Sequence, residues 1–111
     1  MTRHFSIDRI QSAFPEHPEI VVEMLRLFAV TLERLQISFH QNFELDQLRL
    51  VTHSIKGCAA ECGAPALSEI ASAIEQACVS NDRASIESKT KSLDDAFHHT
   101  LREMREAASY V

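Results

Sequence analysis

Residues 44–62, ELDQLRLVTHSIKGCAAEC, decide the fold. At about 100° per residue, Leu45, Leu48, Thr52, Ile55, Ala59 and Cys62 fall within one stripe about 100° wide. Such a stripe predicts a helix from about Glu44 to Cys62 with this face buried. Glu44 and Asp46 suit the positive end of its dipole. Gly63 stands where a left-handed residue is wanted to end a helix, and Pro65 where the next can begin.

The same period extends in both directions. A short helix is predicted from about Ser6 to Ala13, with Ser6 as N-cap and Pro15 and Pro18 as its stop. A second runs from about Pro18 to Gln41, with Val21, Met24, Leu25, Phe28, Leu32, Leu35 and Phe39 on one face. After Pro65 a fourth reaches about Val79, with Leu67, Ile70, Ala71, Ile74 and Cys78 inward. Ser80-Asn81-Asp82 breaks and recaps the chain. The last helix carries Ile86, Leu93, Phe97, Leu101 and Met104 at helical spacing. Average glycine usage of ~7% would supply about eight glycines; two are present, so long loops are scarce. No stretch sustains the alternation of a strand. The expected fold is all-α: an antiparallel up-down-up-down four-helix bundle with a short additional N-terminal helix. One domain over residues 1–111 suits this length.

Composition excludes several classes. A net charge of −5 argues against a nucleic-acid binder. No apolar run is long enough for a membrane span, and the start at Met1 lacks the apolar stretch of a secretory signal. The three cysteines include no CxxC pair. On one helix the Cβ atoms of Cys58 and Cys62 lie roughly 5–6 Å apart, too far for an unstrained disulfide. A cytoplasmic setting follows, with the thiols acting as small apolar groups. A bundle that buries its own apolar faces predicts a monomer, and a start at Met1 favours a free-standing protein over a piece of a hybrid kinase.

The outer flank of the third helix carries the chemistry. His53 lies about 130° from the centre of the buried stripe. Arg49 and Lys56 lie one turn away on either side, while Gly57 and Leu50 point outward. A mid-helix glycine costs about 1 kcal/mol relative to alanine, so Gly57 needs a reason. A surface histidine, a solvated cation or an exposed leucine is unremarkable alone; their coincidence on one flank is not. A neutral imidazole is a good nucleophile near pH 7. Lys56 at i+3 can offset phosphoryl oxygens, and Gly57 at i+4 leaves room for them and for a partner. The sequence shows no general base paired with His53 and no phosphate-cradling loop.

His53, Ile55, Lys56-Gly57, Gly63, Leu67 and Ile74-Glu75 together resemble the histidine-containing phosphotransfer (HPt) domain of multistep two-component phosphorelays. The helical layout from about Pro18 onward is similar too. Thr52, where alanine is common, and Glu44, where aspartate is usual, depart from the pattern without touching the chemistry. The resemblance implies a phosphocarrier rather than an enzyme. His53 accepts a phosphoryl group from an aspartate of one response-regulator receiver domain, as in a hybrid histidine kinase, and passes it to an aspartate of another. The chain then has no cofactor of its own, and Mg²⁺ is supplied by the receiver. Lys56 stabilises the phosphoryl group, and Gly63 sets the helix end. Gly57, Leu50, Arg49 and Ala60 serve access and docking, on a surface formed by the exposed parts of the second and third helices.

Three rivals are weighed. A histidine-kinase dimerisation and phosphoacceptor domain typically has an acidic residue after its histidine, where Ser54 stands here. A di-metal bundle needs Glu-x-x-His pairs on inward faces, and the nearest approach is Asp95 with His98. An adaptor that binds receivers without phosphotransfer leaves His53 together with Lys56 unexplained.

Overall fold

The computed structural model describes residues 4–111, which form five helices and, among these residues, no strand. They are α1 (Asp8–Ala13), α2 (Pro18–Gln41), α3 (Leu45–Cys62), α4 (Pro65–Val79) and α5 (Arg83–Tyr110). The four long helices pack in a ring, α2 on α3, α3 on α4, α4 on α5 and α5 on α2. With connections of only two or three residues, chain neighbours in this ring run antiparallel. At ~1.5 Å per residue α5 alone spans ~42 Å and sets the 46 Å long axis.

Each helix forms because its apolar stripe finds a counterpart. Leu48, Thr52, Ile55, Ala59 and Cys62 of α3 are buried against Leu67, Ala71, Ile74 and Cys78 of α4, with Leu93, Phe97, Leu101 and Met104 of α5 closing the core. Val21, Leu25, Leu32 and Phe39 supply α2's share. Met24, Phe28 and Leu35, expected on the same face, are only partly buried, and Met24 and Phe28 line a groove beside α1. Burial of Thr52 is possible because its hydroxyl donates to the Leu48 carbonyl at 2.9 Å, as a buried hydroxyl requires. Between α4 and α5, Asn81 takes a left-handed φ of 55°, and Asp82 caps α5 by accepting the Ser85 N–H at 3.1 Å.

The N-terminal segment differs from expectation. α1 begins at Asp8 rather than Ser6, with Ile7 at its N-cap position, and Ser6 still serves this end of the helix by accepting the Asp8 N–H on its hydroxyl at 3.4 Å. The Ser6 backbone makes a second contact: its N–H donates to the Gly63 carbonyl at 2.8 Å. Phe5 and Ile10 are buried beside it, so α1 and the residues before it lie against the bundle end where α3 turns into α4. Gly63 fits here for two reasons. Its φ is +92°, and a Cβ would strike the Ser6 carbonyl oxygen.

Candidate functional site

His53 projects from the outer flank of α3 with 67% of its side chain exposed. The ring is nonetheless held, because Nδ1 lies 2.8 Å from Glu75 Oε2 on the neighbouring α4. Lys56, one turn on, donates from Nζ to Glu75 Oε1 at 2.5 Å. One carboxylate therefore holds both residues of the predicted chemistry, one on each oxygen. The absence of a partner for His53 expected from the sequence is corrected by this contact. The partner lies 22 positions along the chain, where no local spacing rule reaches it.

Glu75 occupies this place because of the α4 wheel. It follows Ile74 at the border of the buried stripe, and its side chain is only 12% exposed. A carboxylate so placed needs compensation, and the two donors of α3 supply it. The hydrogen bond from Lys56 is the largest influence on its acidity and outweighs desolvation; His53 adds to it. Together they hold Glu75 below the usual carboxylate range, so it is ionised near neutral pH.

Chemical consequences follow for the imidazole. An ionised carboxylate only accepts hydrogen bonds, so Nδ1 carries the proton facing Glu75. In the neutral ring the lone pair then resides on Nε2, the nitrogen left free of that contact. The seam is also pinned through the backbone: Ser68 Oγ of α4 donates to the Lys56 carbonyl at 3.1 Å. Sequence reasoning quoted Glu75 within the family motif but gave it no role, and missed Ser68 altogether. An acidic residue at the rim of an apolar stripe was the available signal for Glu75; Ser68 had none.

The remaining predicted residues lie around this centre. Arg49 and Leu50 are exposed on the turn before His53, and Arg49 forms no ion pair among the described residues. A Cβ added at Gly57 would meet nothing within 4 Å, so this glycine faces open space rather than a neighbouring helix. Ala60 is exposed and shares a groove with Lys56, Gly63, Pro65 and Ser68, edged by Arg9 of α1. Gly63 stands apart from the imidazole, at the end of α3.

A family model described as Hpt domain matches residues 11–109. The chain belongs to the Hpt domain family. A comparison with curated proteins and one with solved structures each found no significant match. Hpt domains are helical phosphotransfer modules of two-component signalling, and the bundle described above is that architecture. In this Hpt domain the described residues contain no cluster of three or more side chains able to hold a metal ion. Asp95, one half of the pair considered for metal binding, is engaged with Lys91 at 3.1 Å. Burial pushes the Cys58 thiol up to about 11, aided by Glu61, and burial pushes Cys62 to about 12. Neither is a thiolate near neutral pH. Among the described residues no helix is long and apolar enough to cross a membrane.

Proposed function

We propose that this Hpt domain is a phosphorelay intermediate, with His53 as phosphoacceptor and receiver-domain aspartates as donor and acceptor. The observation that carries the reading is the His53–Glu75 contact, which engages one ring nitrogen and leaves the other free on an exposed ring.

Transfer begins with attack by the Nε2 lone pair on the phosphorus of a receiver's aspartyl phosphate. The N–P bond forms as the P–O bond to the aspartate breaks, and the electron pair leaves with the restored carboxylate. The imidazole keeps its Nδ1 proton throughout. Positive charge develops on the ring as Nε2 commits its lone pair, and the Glu75 carboxylate, 2.8 Å from Nδ1, offsets it. Lys56 spends one donor on Glu75, and an ammonium has three, so its charge remains available to the phosphoryl oxygens. The second transfer reverses these steps toward another receiver. The receiver brings the acceptor carboxylate and Mg²⁺, which neutralises phosphoryl charge; the Hpt domain acts as carrier rather than catalyst.

Docking uses the surface around the imidazole. Leu50 offers apolar area one turn before it, Gly57 an unobstructed approach, and Ala60 a shallow continuation along α3. Arg49 adds positive charge facing the acidic rim of a receiver's pocket.

The test is transfer of labelled phosphate from phosphorylated receivers. The wild-type domain should acquire acid-labile, base-stable label, and His53→Gln should acquire none while remaining folded, losing no more than about 1–2 kcal/mol for the altered contact with Glu75. Label that persists in this variant and maps to His98 or His99 would overturn the assignment.

A further inference from the structure

The expectation of a monomer rested on each helix burying its apolar face, and α2 does not follow it. Val30 is 44% exposed and Ile37 is 58% exposed. Val30 borders a groove between α2 and α5, and Ile37 lies two turns further along the same outer flank. Placed at about 100° per residue, Val22, Arg26, Ala29, Val30, Glu33 and Ile37 fall within one arc about 100° wide. The order along this arc reads apolar, basic, small pair, acidic, apolar. It is self-complementary when run backwards. Val22 with Ile37, Arg26 with Glu33, and Ala29 with Val30 are each centred between Ala29 and Val30.

Beneath the centre of this stripe lies a groove of about 320 Å³ between α2 and α5. Its floor is Leu25, Ala29, Met104 and Ala108, and its edges carry Arg26, Glu33 and Arg105. Arg105 is already paired with Glu33. Arg26 is exposed and forms no ion pair among the described residues.

We infer that this face is a homodimer interface in which α2 of one copy packs antiparallel on α2 of another. A two-fold axis passing between Ala29 and Val30 brings Arg26 of each copy against Glu33 of the other and sets the two copies of Val30 against each other. It also closes the apolar ends with Val22 against Ile37. Identical surfaces meeting across such an axis make a closed, isologous contact. The charge pattern favours a second copy over an unrelated helix, because basic and acidic groups sit equidistant from one centre. The paired stretch spans only about 22 Å from Val22 to Ile37, a contact below the size of standard interfaces. Association is therefore expected to be weak and concentration-dependent. α2 and α5 lie across the ring from the α3–α4 seam, so dimerisation leaves the His53–Glu75–Lys56 cluster uncovered.

Sedimentation velocity of the full chain, from roughly 10 μM to about 1 mM, the range in which weak association shows, reads this directly. The wild type should shift from monomer to dimer with concentration. Val30→Asp should remain monomeric, and Arg26→Glu should weaken association at least about tenfold by facing like charges. Adding Glu33→Arg to Arg26→Glu should restore it. Orientation is read by oxidative cross-linking: Val30→Cys should link to itself, and Val22→Cys should link to Ile37→Cys in a mixture. Ile37→Cys should not link to itself, and circular dichroism controls for folding. A chain monomeric at every concentration, or a dimer indifferent to Val30→Asp, would overturn the inference and leave the groove to a helix of another protein. Self-linking by Ile37→Cys would overturn the antiparallel arrangement.

Discussion

Lys56 and Glu75 meet at 2.5 Å across the seam between α3 and α4, on the opposite carboxylate oxygen from the one that faces His53. The cation that faces an incoming phosphoryl group and the group that orients the nucleophile are thus one connected unit. A change at either end is felt at the other.

Glu75 separates orientation from charge. Glu75→Gln keeps a carbonyl oxygen for the Nδ1 proton, so His53 should retain part of its transfer rate, whereas Glu75→Ala should lose more. At pH 7 loss of the charge-assisted bonds should cost about 1–3 kcal/mol of stability. The sign of the pH dependence follows from the acidity of Glu75, depressed in the fold chiefly by the Lys56 bond. A depressed carboxylate stabilises the folded state fully above its unfolded pKa of about 4.3, and the contribution disappears as pH falls through the lower folded value. Denaturant titrations should show the wild type's advantage over Glu75→Gln intact at pH 7 and shrinking below about pH 4.3. An advantage that grew on acidification would contradict the pairing.

The two cations flanking His53 should prove unequal. Lys56 is held toward Glu75 beside the imidazole, while exposed Arg49 has no ion pair to fix it among the described residues. Lys56→Ala should slow transfer to His53 or shorten the phosphorylated form's lifetime by roughly tenfold, equivalent to ~1.4 kcal/mol. Arg49→Ala should do less to the chemistry and act mainly on receiver affinity. A time course with one phosphorylated receiver, run on both variants, compares them. A larger loss of chemistry in Arg49→Ala would move the phosphoryl group to the other side of the ring.

Leu50→Asp addresses docking alone. Leu50 is 51% exposed on the turn before His53 and carries no group able to act on the phosphoryl. A negative charge there should weaken receiver binding by about tenfold or more, through lost apolar contact and repulsion from the receiver's acidic pocket rim. Calorimetric titration against a receiver measures it, and unchanged affinity would place docking elsewhere.

The long helices and the exposed flank of α3 were legible because both depend on local periodicity. Leu48, Thr52, Ile55, Ala59 and Cys62 are buried as their spacing implies, and Gly57 faces outward as its angle implies. Glu75 could be quoted as part of a motif, but its partners depend on how α4 rotates against α3, which no single helix encodes. The same holds for Ser6. Its residue type suggested a cap, and its hydroxyl does accept the Asp8 N–H, but the tertiary contact of its N–H with Gly63 could not be read from spacing. Gly63 itself was read as a helix end. That it also receives the segment before α1 required the backbone of both.

Gly57 and Gly63 provide the clearest contrast, since the same substitution should have opposite effects at the two positions. Gly57 adopts ordinary helical backbone within α3, with nothing within 4 Å of an added Cβ. Gly57→Ala should therefore raise stability by up to ~1 kcal/mol, through better helix propensity and a less flexible unfolded chain. Gly63 has φ +92° and the Ser6 carbonyl against its open side. Gly63→Ala should cost about 1–3 kcal/mol from backbone strain alone, and more if Ser6 is pushed away. Function should divide differently. Gly57→Gln should fold as stably as the wild type yet obstruct a receiver at His53, cutting phosphotransfer sharply. Gly63→Ala should transfer at near wild-type rate per folded molecule, because the end of α3 lies away from the imidazole. Thermal melts and transfer time courses on the three variants test both halves. A melting temperature lowered by Gly57→Ala would mean that this glycine serves packing, and the access role assigned to it would fail.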